Sequence, residues 1–190
     1  MSEESILHLE GKLLAQNVVA TDATTVTVNG EQKYIRNFST EDTVLYHAMN
    51  SKSIESLKRL DFLKRYAGIL VHDHETALYH FGIEHAECNV HIICYLRKNT
   101  EETGNRWSDK MISLLCGMNQ YRKDLAAQGL DAMPVEEIME DEEKSFSILK
   151  QGREENKATS HKYAKQDEAA LLGRMEKYSH NHLLFLHDFI

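Results

Sequence analysis

The run Gly68-Ile69-Leu70-Val71-His72-Asp73 is apolar almost to its end and then stops at a carboxylate. A strand without polar alternation is buried on both faces, the habit of strands inside the covered sheets of α/β proteins. A buried strand that delivers an acid at its tip also plants a metal ligand at a sheet edge. Its natural partner is Asp22, inside the run Asn17–Val28, where Val18, Val19, Thr24, Thr25, Val26, Thr27 and Val28 are β-branched. Two acids on two neighbouring strands point to a divalent-metal site for phosphate chemistry.

The surrounding pattern supplies the rest of a sheet. Asn29-Gly30, the preferred pair for a two-residue type I′ turn, follows the first run, and Lys33–Phe38 reads as the returning strand. Thr43–Met49 reads as a third strand, with a helical turn as the alternative. Ser53 caps a helix running to about Arg65, with Ile54, Leu57, Leu60 and Leu63 on one side. After Gly68–Asp73 come a short helix near Glu75–Phe81, ended by Gly82, and a fifth strand at Glu87–His91. Hairpin, third strand, helix, acid-tipped strand, helix and short strand follow one another in the order of a ribonuclease-H-like domain. In that topology the first and fourth strands are neighbours, so Asp22 and Asp73 meet at one sheet edge.

The second half is helical. Arg106–Gln128 carries Trp107, Met111, Leu114, Leu115, Met118, Tyr121 and Leu125 at helical spacing. Gly129 ends that helix and Pro134 opens another, with Val135, Ile138, Met139 and Phe146 expected inward. A third spans Lys162–Tyr178, with Tyr163, Leu171, Met175 and Tyr178 on one face, and Asn181–Ile190 is a short apolar end. The expected fold class is α/β: a ribonuclease-H-like mixed sheet with a mainly helical insertion after the fifth strand. Residues 1–95 form the core and 96–190 the insertion.

Composition narrows the function. With 42% hydrophobic and 27% charged residues, the chain folds rather than remaining disordered. Three cysteines, Cys88, Cys94 and Cys116, make no disulfide framework and favour a reducing compartment. The N-terminus has no signal-peptide pattern and no run is long enough to span a membrane, so a bacterial cytoplasmic location is expected. A net charge of −8 argues against bulk adhesion to nucleic acid, so DNA contact must come from local features. Arg97, Lys98, Arg106 and Lys110 are a modest basic cluster suited to a DNA backbone or to a solvated face.

Other constellations have plainer readings beside the chemical ones. Asp22 also fits a solvent-facing strand residue, and Asp73 a helix cap. His85-x-x-Cys88-x-x-His91 has zinc-binding residue types but lacks a fourth ligand or a second cluster, so a packed cysteine beside hydrogen-bonding histidines is favoured and zinc is not expected. His72, His74 and His80 flank Asp73, and His180, His182 and His187 crowd the C-terminus. The acids Glu136, Glu137, Glu140, Asp141, Glu142 and Glu143 read as a solvated helix face.

The stretch Tyr95-Leu96-Arg97-Lys98-Asn99-Thr100-Glu101-Glu102-Thr103-Gly104-Asn105-Arg106-Trp107 closely resembles the core of the insertion-sequence-66 family of bacterial transposases. Matches continue at Gly117-Met118-Asn119, at His72-Asp73-His74 with Ala77–Gly82, at Asp22-Ala23-Thr24 with Val26 and Asn29-Gly30, and at His180–Phe189. The resemblance implies a DDE transposase that cuts and joins DNA strands with Mg²⁺ or Mn²⁺. Asp22 is then the first catalytic and metal-binding carboxylate and Asp73 the second. Cys88 and His91 match a Cys-x-x-His element adjacent to the site. Implied partners are DNA (transposon ends and target), further copies of the chain, or a full-length transposase, with no membrane.

The chain departs from the family pattern in two ways. The third acid, a glutamate in an Asn-Asn/Glu-Arg type motif, does not appear before Ile190, and the upstream zinc-binding and DNA-end-binding regions do not precede Asp22. The expectation is a central catalytic-core fragment, impaired when alone. Two other functions fit the sequence: a non-catalytic fragment that binds DNA or co-assembles to regulate transposition, and a metal-dependent phosphoesterase using His72, Asp73, His74 and His91.

Overall fold

The hairpin forms around Asn29-Gly30. In the computed structural model, which describes residues 3–187, strands β1 (Val18–Val28) and β2 (Glu31–Ser39) pair antiparallel with Val28 opposite Glu31. Both turn residues have positive φ, 51° at Asn29 and 80° at Gly30, as a type I′ turn demands. β3 (Val44–Met49) pairs antiparallel with β2, and β4 (Ile69–His72) and β5 (Glu84–Glu87) add in parallel on the other side of β1. The sheet order is β3-β2-β1-β4-β5, so the first and fourth strands are neighbours. The chain is a mixed α/β protein of two units that divide after Glu87.

In the first unit, alternation along β1 separates two faces. Val19, Thr21 and Ala23 are buried, whereas Ala20, Asp22 and Thr24 are exposed. The inner face packs Val19, Phe38, Leu45, Met49 and Leu70 against Leu13 of α1 (Glu3–Leu14), Leu57 of α2 (Ile54–Leu57) and Phe62 and Leu63 of α3 (Asp61–Arg65). Ser53 caps α2 by accepting from the Ser56 N–H at 3.3 Å, but the expected single helix to Arg65 is broken at Leu60, whose ψ is 105°. At about 100° per residue an unbroken helix would turn Phe62 away from Leu60; the break lets both enter the core. Gly68 is required by close approach. A Cβ there would stand 2.4 Å from Tyr66 Oη and 2.5 Å from the Asn17 carbonyl, which accepts from Ile69 N–H at 2.8 Å.

Two local expectations change around Asp73. The short helix is a 3₁₀ turn, Thr76–His80. The fifth strand is Glu84–Glu87 rather than Glu87–His91, because those four residues pair with Ile69–His72. Cys88 then caps α4 (Asn89–Thr103), where Ile92, Leu96 and Asn99 repeat at helical spacing and are buried.

The second unit is a ring of four helices, α4, α5 (Trp107–Ala127), α6 (Val135–Ala158) and α7 (Lys162–Lys177), with α8 (Ser179–His187) against α5, α6 and α7. Trp107, Met111, Leu115, Met118 and Leu125 of α5 are buried as expected, but Tyr121 is exposed. The faces of the next two helices differ from expectation. Of the four residues assigned inward on α6, only Ile138 is buried; Val135, Met139 and Phe146 are exposed. The inward face is Ile138, Ser145, Leu149 and Gly152. On α7 Tyr163 is exposed, and Ala164, Glu168, Leu172 and Met175 point in. Small residues are needed because the helices run close: a Cβ on Gly152 would stand 2.7 Å from Leu172 Cδ2 and 2.8 Å from Trp107 Cδ2.

Among the described residues no helix is long and apolar enough to cross a membrane. Residues 188–190 of the expected apolar end, Asp188 among them, lie outside the described residues.

Candidate active site

The β1–β4 register runs Val18↔Ile69, Val19↔Leu70, Ala20↔Val71. Continued by two residues, it sets Asp22, within β1, opposite Asp73, just past the carboxyl end of the parallel strand β4. Asp22 lies on the exposed face of β1, where its N–H donates to Asn37 Oδ1 at 2.6 Å and its own Oδ1 accepts from Ala23 N–H at 2.7 Å. Asp73 is the first residue beyond β4, in a bend. His74 follows with φ of 38°, a left-handed conformation that costs a non-glycine residue roughly 1–3 kcal/mol and persists only where its surroundings enforce it.

Those surroundings lie on the inner face. The Glu87 side chain, wholly buried, accepts from His74 Nδ1 at 2.5 Å and from the Tyr79 hydroxyl at 2.6 Å. Glu75 is held by Arg36, whose Nη2 donates to its two carboxylate oxygens at 2.6 and 2.7 Å. Arg36 Nη1 also donates to Thr21 Oγ1 at 3.1 Å. Arg36 sits opposite Ala23 on β2, hence on the inner face, and its side chain is 0% exposed. Beside this group His72 Nε2 and His85 Nδ1 share a hydrogen bond of 3.1 Å. Burial, with His85 next to it, pushes His72 down to about 4, and burial lowers His85 as well. Both imidazoles are therefore neutral near pH 7.

The pair Asp22 and Asp73 offers oxygen donors only. That suits a hard cation such as Mg²⁺, which is commonly held by one or two carboxylates while water and substrate phosphate complete its shell. Among the described residues no group of three or more His, Cys, Asp or Glu is arranged to hold a metal ion. His85 is engaged with His72, and His74 with Glu87. Cys88 and His91 belong to the second unit, at the cap and first turn of α4, where His91 N–H donates to the Cys88 carbonyl at 3.0 Å.

The four basic residues also lie in the second unit and are all exposed. Lys98 is 3.5 Å from Glu102 and 3.6 Å from Asp167, and Lys110 Nζ donates to Gln151 at 2.7 Å. Arg97 is on α4, and Arg106 caps α5.

The Tyr95–Trp107 motif has a different centre. Glu168, 1% exposed, accepts from Trp107 Nε1 at 2.7 Å, Asn105 Nδ2 at 2.8 Å, Asn156 Nδ2 at 2.8 Å, Asn99 Nδ2 at 3.1 Å and Thr159 Oγ1 at 3.2 Å. Burial raises the affinity of this carboxyl for its proton, but the donors from Asn105, Trp107, Asn156 and Asn99 together outweigh it and hold the group below the usual glutamate range.

Sequence reasoning missed Arg36, Glu75, Tyr79, Glu87 and Glu168. One signal was available: Tyr34, Arg36 and Phe38 alternate along β2, which puts Arg36 on the face of a core phenylalanine. A model of the family described as Transposase IS66 family matches residues 3–189. No curated protein matches the chain.

Proposed function

We propose that this chain, which belongs to the IS66 family of transposases, contributes two carboxylates, Asp22 and Asp73, to a centre that cleaves and joins DNA strands. Membership gives it a role in transposition, with DNA as the partner. The observation that carries the finer reading is the register of β1 and β4, which aligns Asp22 within β1 with Asp73 just past the end of the adjacent parallel strand. The β3-β2-β1-β4-β5 order, with β2 alone running against the other four strands, supports a ribonuclease-H-like sheet.

In this reading Asp22 and Asp73 hold the divalent cation through oxygen donors. Asn37 fixes the Asp22 backbone from the neighbouring strand. Mg²⁺ or Mn²⁺, when bound, supplies positive charge to the attacking and leaving oxygens of the phosphodiester. Asp22 is exposed and Asp73 half-buried, and the outer face on which Asp22 lies is the one a duplex would approach. No third ligand joins them among the described residues, so strand cleavage by this chain alone is weak. That same observation favours a second reading, in which the chain binds DNA or co-assembles with an active transposase and damps it.

The deciding experiment incubates the purified chain with duplex DNA carrying the element's terminal repeats and Mg²⁺. Slow nicking, lost in Asp22→Asn and Asp73→Asn, is the expected result. Nicking that persists in Asp73→Asn overturns the carboxylate assignment. A gel shift and co-purification with an active transposase, without nicking, select the regulatory reading.

A further inference from the structure

Asp73 stands one residue beyond the last ladder pair of β4, so the sheet does not by itself fix its direction. We infer that the buried contacts Arg36–Glu75 and His74–Glu87 are positioning devices that hold Asp73 against Asp22 in a cation-binding arrangement. This rests on the carboxylate reading above.

Three observations converge. The residue after Asp73 is in the left-handed region, a conformation that histidine keeps only under restraint. The restraint is present in Glu87, whose wholly buried side chain receives hydrogen bonds from both His74 and Tyr79. The third is the guanidinium of Arg36. One end donates to Thr21, the neighbour of Asp22; the other holds Glu75, two residues past Asp73. A single planar group thus links β1 beside Asp22 to the segment just past Asp73, and its rigidity sets their separation.

Neither glutamate is itself a third ligand. Both oxygens of Glu75 are taken by Arg36, and Glu87 is buried on the inner face while Asp22 lies on the outer one. Their contribution is to orientation, as hydrogen-bonded outer partners of metal ligands commonly contribute.

The test measures Mn²⁺ binding to the full chain by electron paramagnetic resonance, with thermal melts of each variant. Glu75→Gln removes the charge that Arg36 grips and should weaken Mn²⁺ binding by about 10–100-fold while the protein stays folded at the assay temperature. Thr21→Val approaches the same guanidinium from its other end with an isosteric side chain, and decides the matter if Glu75→Gln does not fold. It should also weaken binding, and Thr21→Ser, which keeps the hydroxyl, should restore it. A merely structural clamp would lower the melting temperature and leave the affinity of the folded protein unchanged. Affinities within twofold of the parent in Glu75→Gln and Thr21→Val, with binding abolished by Asp73→Asn, overturn the positioning role and leave the carboxylate reading standing. Absence of binding by the parent, or equal binding by Asp73→Asn, overturns the carboxylate reading and the positioning role with it.

Discussion

Glu168 is a buried carboxylate whose charge is matched by neutral donors rather than by a cation. Asn99, Asn105 and Trp107, three residues of the motif that identifies the family from sequence, converge on it. That motif therefore builds the helical unit. Because the folded-state pKa of Glu168 lies below its ordinary value of 4.5, its contribution to stability is fully present above the unfolded value and lost as pH falls through the folded one. Urea unfolding midpoints should fall below about pH 4.5, and Glu168→Gln should flatten that fall. At pH 7 Glu168→Ala should cost roughly 3 kcal/mol or more, since it leaves several buried donors unpaired at about 1–3 kcal/mol each. A melt indistinguishable from the parent would show that the cage is not a stabilising centre. The motif was visible in the sequence and its centre was not, because contacts between residues so far apart in the chain leave no periodic trace.

At the scale of elements, the legible features were those set by local chemistry. The Asn29-Gly30 turn, the β-branched β1 and the Ser53 cap each follow from a few adjacent residues. The inward faces of α6 and α7 did not, because apolar residues alone misassign a face whose inward members are Ser145, Gly152 and Glu168. The register of β5 was set by pairing with β4, which no local signal encodes. Two glycine substitutions test the observed packing in opposite directions. Gly152→Ala drives a methyl into Leu172 and Trp107, and should destabilise by about 1–3 kcal/mol. Gly117, within α5, has nothing within 4 Å of an added Cβ, so Gly117→Ala should stabilise by roughly 0.5–1 kcal/mol. Denaturant titrations of the two variants should move apart; movement in the same direction would contradict the observed helix faces.

For the molecule as a whole, the sequence carried the mixed α/β class and the adjacency of the acid-bearing strands, since element order restricts sheet topology. It did not show the inner-face network behind Asp73, whose members Arg36, Glu75 and Glu87 are scattered along the chain and meet only once the sheet has formed. Charge poses the remaining question. A protein with 30 acidic and 22 basic side chains and a net charge of −8 has little general attraction for DNA, so affinity must come from a few cations facing phosphate. Of the four exposed basic residues, Lys98 is flanked by Glu102 and Asp167 and Lys110 is bonded to Gln151. Arg97 and Arg106 are therefore the more effective pair. If they meet the DNA backbone, each change to alanine should weaken binding across all sequences and reduce the slope of log K against log salt by about 1. Lys98→Ala should change the slope less, because its charge is already partly compensated. Fluorescence anisotropy with terminal-repeat duplex between low and moderate salt measures all three slopes. Equal slopes in the parent, Arg97→Ala and Arg106→Ala would remove the helical unit's basic residues from the DNA interface.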